Sequence, residues 1–183
     1  FKKAEEANIG EVVVATENHE IFDDVKQNGG QAILTGKNHK TGTDRIYEAL
    51  SKIGKSDIEL VMNLQGDEPL MNIEDIRNLH NQMIQTKSLL GTLASQIKDK
   101  NIYTNQNVVK VITKESLNYS KFSEAVNFMR KSVESKSNIY HHLGVYCYQV
   151  DTLKRFVSFD QSQNEISNKL EQLRALDNNI KIN

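Results

Sequence analysis

The chain has 183 residues, 38% hydrophobic and 26% charged, with 23 basic side chains against 24 acidic ones. That length suits one domain with a real core, and scattered lysines in a near-neutral chain give no clustered basic field for a nucleic acid or a membrane surface. The single cysteine, Cys147, excludes an intrachain disulfide and a cysteine-rich metal site and fits a reducing, cytoplasmic setting, and no apolar run is long enough for a membrane-spanning helix.

Residues 2–7 read as the end of a helix already under way, so the start at Phe1 reads as a cut. A β-branched run without alternation over 11–16 predicts a strand covered on both faces. Ile21, Phe22 and Val25 then fall at helical spacing, stopped by Asn28, Gly29 and Gly30. A second short strand is predicted over 31–35. Beyond a polar loop, Thr43 reads as the N-cap of a helix that buries Ile46, Ala49, Leu50 and Ile53 and ends at Gly54. Strand 58–64, loop 65–69 and a helix from Asn72 or Ile73 to about Thr86 complete an alternation that predicts a parallel sheet with crossover helices.

The second half reads differently. Strands are predicted over 89–94 and 108–113, with 114–116 turning a hairpin into 117–120. A polar, helix-permissive stretch over 123–137 leads to a strand over 139–148. Asp151 caps a short helix, and 165–176 reads as one amphipathic helix on Ile166, Leu170, Leu173 and Leu176. Residues 180–183 look like a strand just beginning, so this end also reads as a cut. The fold expected is one α/β domain over 1–183: an open, mostly parallel sheet with crossover helices and an antiparallel elaboration over 89–148.

Chemistry concentrates in four places. Gln65, Gly66, Asp67, Glu68 and Pro69 follow an apolar strand at the end where open α/β sheets bind ligands. Asp67 there can hold Mg²⁺ with water and phosphate oxygens, or the acidic pair can simply start a helix. The loop His39, Lys40, Thr41, Gly42, Thr43, Asp44, Arg45 offers hydroxyls and backbone N–H groups for a phosphate or a polar heterocycle, or is an ordinary helix cap. Strand alternation sends His142, Gly144 and Tyr146 to one face, where they can line a sugar-sized cavity or merely form the wet side of a strand. Cys147 falls on the other face, as a small core residue. Glu171, Gln172 and Arg174 flank the buried stripe of the last helix and reach either a pocket rim or solvent. The chain contains no HExxH, GxGxxG or P-loop pattern and no serine in a nucleophile-elbow context, which argues against covalent catalysis and the common dinucleotide sites.

Taken in order, segments 12–16, 39–45 (H-K-T-G-T-D-R), 63–69 (N-L-Q-G-D-E-P), 142–146 (H-L-G-V-Y) and 170–174 (L-E-Q-L-R) resemble the 3-deoxy-manno-octulosonate (Kdo) cytidylyltransferases, also called CMP-Kdo synthetases, over nearly the whole chain. The resemblance implies a cytoplasmic, homodimeric, Mg²⁺-dependent enzyme in which the anomeric hydroxyl of Kdo attacks the α-phosphate of CTP for lipopolysaccharide synthesis. It implies Asp67 as metal ligand and Gln65 at the substrates. Thr41, Gly42 and Thr43, with Gly66, would border the nucleotide, and His142, Tyr146, Glu171 and Gln172 would surround the sugar acid. Thr41 replaces the family's usual Ser. Tyr119, Ser120 and Lys121 stand where F-S-R is typical, so Lys121 would meet the sugar carboxylate as a point charge without the arginine fork. The family's opening P-A-R-x-x-S-x-R-L-P-x-K loop and closing V-D-T-P-x-D segment are absent from 1–183, so this stretch by itself is expected to be inactive.

Overall fold

A computed structural model describes residues 1–66, 71–132 and 137–183. Its first half follows the predicted alternation: α1 (Lys2–Ala7), β1 (Val13–Thr16), α2 (His19–Gln27), β2 (Gln31–Leu34), α3 (Gly42–Ile53), β3 (Leu60–Asn63) and α4 (Ile73–Thr86). β1 and β2 pair in parallel, Val13 opposite Gln31 and Thr16 opposite Leu34. Asn18 caps α2, its Oδ1 accepting from the N–H groups of Glu20 and Ile21 at 2.7 and 3.1 Å, which satisfies two of the helix's orphan donors.

Helix α3 starts earlier than expected. Its N-cap is Thr41, because the Thr41 hydroxyl accepts from the Asp44 N–H at 3.3 Å and donates to the Asp44 carboxylate at 3.0 Å. Thr43 is therefore inside the helix and fully buried, its hydroxyl free to serve the interior.

The second half comprises β4 (Leu90–Ser95), α5 (Asn101–Thr104), β5 (Lys110–Thr113), β6 (Ala125–Met129), β7 (Ile139–Gln149), α6 (Val150–Ser158), α7 (Gln163–Asn168) and α8 (Gln172–Asp177). β7 is the spine. One edge carries β4 from Tyr148 down to His141; the other carries β3 opposite 146–149 and β5 opposite 139–141. All three run antiparallel to β7, so β3, β4 and β5 share one direction, and the antiparallel elaboration is grafted onto β3 through β7.

Three expectations are corrected. The stretch 117–120 makes a single bridge, Asn118 to Lys121, and the hairpin partner of β5 is β6. β6 was concealed because Val126 is the extra residue of a bulge between Thr113–Ala125 and Ile112–Asn127, which breaks the period of two. Residues 133–136 lie outside the described part. The single helix over 165–176 is two helices, because Lys169 adopts φ 52° and the Leu170 N–H closes on the Glu165 carbonyl at 3.2 Å. Ile166 consequently stays exposed while Leu170 and Leu173 are buried. Finally, Gln149 rather than Asp151 occupies the N-cap of α6.

β7 separates two apolar layers. Tyr146 and Tyr148 pack with Phe128, Leu153, Phe156 and Leu173 on one side, and Val145 and Cys147 pack with Leu79 and Met83 of α4 on the other. Burial pushes the Cys147 thiol up to about 12, as befits a core residue with no thiolate chemistry. The last residues do extend the sheet: Asn183 exchanges backbone hydrogen bonds with Leu90 and Thr92 at 2.9 and 2.8 Å. Among the described residues no helix is long and apolar enough to cross a membrane.

Candidate functional site

The β3 ladder ends with Asn63 opposite Tyr146, and the β5 ladder begins at His141. Between these points the edge of β7 carries no strand and opens onto a cavity of ≈ 2110 Å³ that runs back between β1 and β3. Gly144 sits in this opening. A Cβ there would lie 3.3 Å from both Cδ and Nε2 of Gln65, so the glycine makes room for the Gln65 amide to lie against the strand. Gly66 follows on the cavity wall, and apart from its chain neighbours no described residue comes within 4 Å of where its Cβ would stand.

His142 and Tyr146 flank that point, and both are buried. The His142 ring meets Phe128 edge-on at 4.9 Å and its Nε2 stands 2.9 Å from the Thr92 hydroxyl. Burial first, and the neighbouring His141 second, lower its pKa to about 3, so the imidazole is neutral at physiological pH. Burial, with a further push from Glu171, holds the Tyr146 phenol well above its ordinary range and keeps its proton on. This wall offers neutral hydrogen-bonding groups, suited to a polyhydroxylated ligand.

The opposite wall comes from α3 and α8. Thr43 donates to Glu171 Oε1 at 3.0 Å and lies 3.3 Å from the Tyr148 hydroxyl, while Glu171 Oε2 is buried without a partner among the described residues. Burial raises the Glu171 pKa, partly offset by the Thr41 and Thr43 hydroxyls. Thr41, Gly42 and Gln172 share the lining, whereas Thr43 stands behind it as a brace. Asn63 points its Nδ2 toward the same corner, 3.9 Å from where a Gly42 Cβ would be, and that nitrogen is also buried and unpartnered among the described residues.

Beneath this wall Arg174 is 2% exposed and clamps the two helices. Its Nε and Nη2 donate to Glu165 at 2.8 and 2.7 Å, its Nη1 donates to Asp44 at 3.1 Å, and its guanidinium lies 4.6 Å over the Phe156 ring. Burial alone would lower its pKa; the Glu165 and Asp44 bonds outweigh that and hold the charge in place.

Of the predicted residues, Gln65, Gly66, Thr41, Gly42, His142, Tyr146, Glu171 and Gln172 therefore meet around one cavity. Lys121 does not. Its side chain is 73% exposed, pairs with Glu115 at 3.4 Å and lies away from the lining, because 117–121 forms an outer turn; the cations that do line the cavity include Lys40, Arg45, Arg130 and Lys169. Asp67, Glu68 and Pro69 fall outside the described residues. Among the described residues no group of three or more His, Cys, Asp or Glu side chains is placed to hold a metal, so those residues alone do not make an Mg²⁺ site. The sequence reading assigned no role to Asn63 or Thr92 and left Arg174 between rim and solvent. Asn63 and Arg174 lie inside the quoted segments, which was the available signal; Thr92 had none.

A cytidylyltransferase family model matches residues 1–182. The 3-deoxy-manno-octulosonate cytidylyltransferase of Thermodesulfovibrio yellowstonii is 40% identical over 95% of this chain and 72% of its own length; that of Paramagnetospirillum magneticum is 36% identical over 100% of this chain and 74% of its own. The chain belongs to the 3-deoxy-manno-octulosonate cytidylyltransferase family. A solved CMP:2-keto-3-deoxy-manno-octonic acid synthetase complexed with CTP superposes with a TM-score of 0.87 at 30% identity, covering 100% of this chain and 74% of that one. Within this cytidylyltransferase family, the Thr41 that replaces the usual Ser still uses its hydroxyl, on Asp44.

Proposed function

We propose that this protein transfers CMP from CTP to the anomeric hydroxyl of Kdo, releasing pyrophosphate and giving CMP-Kdo for lipopolysaccharide synthesis. One observation carries the assignment to these residues: the neutral wall of Gln65, Gly144, His142 and Tyr146 faces the Glu171 and Asn63 corner across a single cavity. The wall groups donate to and accept from sugar hydroxyls, and Glu171 Oε2 accepts from a hydroxyl at the opposite side. The Thr41 and Gly42 corner takes the nucleotide. No protein nucleophile is required, since the sugar hydroxyl itself attacks and the protein's part is to fix the two substrates at reacting distance.

Mg²⁺, held in part by Asp67, is included in the proposal; when bound it would neutralise triphosphate charge. A cytoplasmic location and a homodimer are included as well, the latter supported by the exposed apolar side chain of Val126 on β6. Incubating the full-length gene product with CTP, Mg²⁺ and Kdo should release pyrophosphate. No release, or equal release with sialic acid, refutes the assignment. Metal dependence is read by chelation and Mg²⁺ add-back, the dimer by sedimentation, and the location by cell fractionation. The position of Lys121 outside the cavity favours one second reading, a cytidylyltransferase for another sugar acid, which a substrate panel distinguishes.

A further inference from the structure

β7 does not pair evenly with β4. Thr92 lies opposite Tyr146 and Leu93 opposite Leu143, so Gly144 and Val145 are extra residues on β7. Such a bulge re-aims side chains and carbonyls near ligand sites. Here it sets the carbonyls of Val145 and Leu143 at 2.6 and 3.4 Å from the Thr92 hydroxyl oxygen, which also stands 2.9 Å from His142 Nε2. A threonine hydroxyl has one proton and two lone pairs. Its proton goes to a carbonyl, and at 2.6 Å that carbonyl is Val145's. The oxygen then faces His142 with a lone pair, so Nε2 carries the ring proton. In a neutral imidazole the other nitrogen is bare, and Nδ1 becomes an acceptor. Nδ1 has no hydrogen-bond partner among the described residues, and His142 lines the cavity beside Gly144.

We propose that Thr92 is a positioning residue: it sets the Nε2–H tautomer of His142 and thereby fixes Nδ1 as the acceptor for one hydroxyl of the sugar acid. The proposal rests on the reading of this wall as the sugar-acid side. Its consequence is orientation. A bare nitrogen welcomes a hydroxyl and repels a carboxylate or phosphate oxygen, whereas the other tautomer would present a donor there and accept either. Thr92 therefore helps to keep the acid end of the sugar and the triphosphate away from His142.

The test uses the full-length protein labelled with ¹⁵N in its histidine rings, with the His142 signals assigned by their loss in His142→Gln. Long-range ¹H–¹⁵N spectra of the ligand-free wild type should show Nε2 protonated and Nδ1 bare. Thr92→Val keeps the branched shape and removes the hydroxyl; it should give mixed or inverted tautomers, and Thr92→Ser should restore the wild-type pattern. In steady state, Thr92→Val should raise the KM for Kdo by up to about tenfold, the worth of one hydrogen bond, with the KM for CTP unchanged. An unaltered tautomer in Thr92→Val overturns the proposal whatever the substrate is. An altered tautomer with an unmoved Kdo KM overturns the acceptor role. Wild-type protein that turns over no sugar acid at all would overturn the underlying reading of the wall instead, and the spectra separate that outcome from the other two.

Discussion

Arg174 offers the most demanding test of how the site is held together. The change Arg174→Met keeps most of the side-chain volume and its packing on Phe156, but removes three donors. The Glu165 carboxylate, in a residue 2% exposed, is left with the Gln161 amide at 3.0 Å. Breaking a buried ion pair from one side costs about 3–5 kcal/mol, since the surviving charge stays desolvated. With an unfolding entropy of about 2.1 cal/mol/K per residue, 183 residues give about 0.4 kcal/mol/K, so Tm should fall by about 8–13 °C. Asp44 is less exposed to the loss, because its carboxylate keeps the Thr41 hydroxyl and reaches solvent.

Circular dichroism melts and urea titrations of the wild type, Arg174→Met and the double variant Glu165→Leu with Arg174→Met provide the measurement. The double variant removes both charges and should regain most of the loss, because an apolar pair of similar volume is often as stable as a buried ion pair. A single variant within about 1 kcal/mol of wild type, or a double variant no better than the single, would refute the reasoning. The clamp also ties the N-terminus of α3 to α8, so the single variant should weaken both substrates' binding together.

Three further outcomes are expected. His142 stays neutral in the fold down to about pH 3, whereas the unfolded chain takes up a proton near pH 6.5, so its stabilising contribution is complete above pH 6.5 and fades as pH falls. That amounts to about 2 kcal/mol by pH 5, and the stability gap between wild type and His142→Gln in urea titrations should narrow by about that much between pH 7 and pH 5; a gap independent of pH would contradict it. Gly144→Ala should press on Gln65 by a few tenths of an ångström and lower kcat/KM about fivefold, equivalent to about 1 kcal/mol of off-rotamer strain, with little change in Tm; unchanged kinetics would place Gln65 elsewhere during turnover. Asn63→Leu removes a buried N–H that is unpartnered among the described residues and should leave the unfolding free energy within about 1 kcal/mol of wild type while raising the KM for CTP; a large loss of stability with unaltered KM would make Asn63 structural.

Much of the fold was legible because its first half obeys simple periods. Ile21 aside, the apolar positions that named α2 and α3 are buried or half-buried, and the strands of the first half fall close to the apolar runs that predicted them. Stop signals were also correct where a local contact makes them, as at Gly54 with φ 67°. The failures share a cause. Thr43 looked like a cap because hydroxyls at helix starts usually cap, yet Glu171, 128 residues away, engages that hydroxyl instead. Lys169 gives no hint that it will turn left-handed, since the turn is stabilised by Leu170 and Leu173 reaching the core. Lys121 followed a positional comparison, and the outer turn that removes it from the cavity depends on the Asn118 side chain accepting from Ser120.

The same irregularities that defeat periodic reading are what build the site. A continuous helix over 165–176 would keep one amphipathic stripe, with Glu171 and Arg174 fixed on neighbouring turns of a single axis. The break at Lys169 instead lets α7 present Glu165 to Arg174 while α8 starts afresh with Glu171 and Gln172 at the cavity. An unbulged β7 would carry its alternation unbroken along β4 and leave the Val145 carbonyl committed to ladder bonding; the two extra residues free it for Thr92 and set Gly144 against Gln65. Each irregularity carries a cost that a regular element avoids: a positive φ at a lysine and interrupted ladder bonds in the central strand. The left-handed turn at Lys87 and the bulge at Val126 carry the same kinds of cost away from the cavity, so an irregularity alone marks no site; the break at Lys169 and the bulge at Gly144 differ in that both border one cavity, from its two sides.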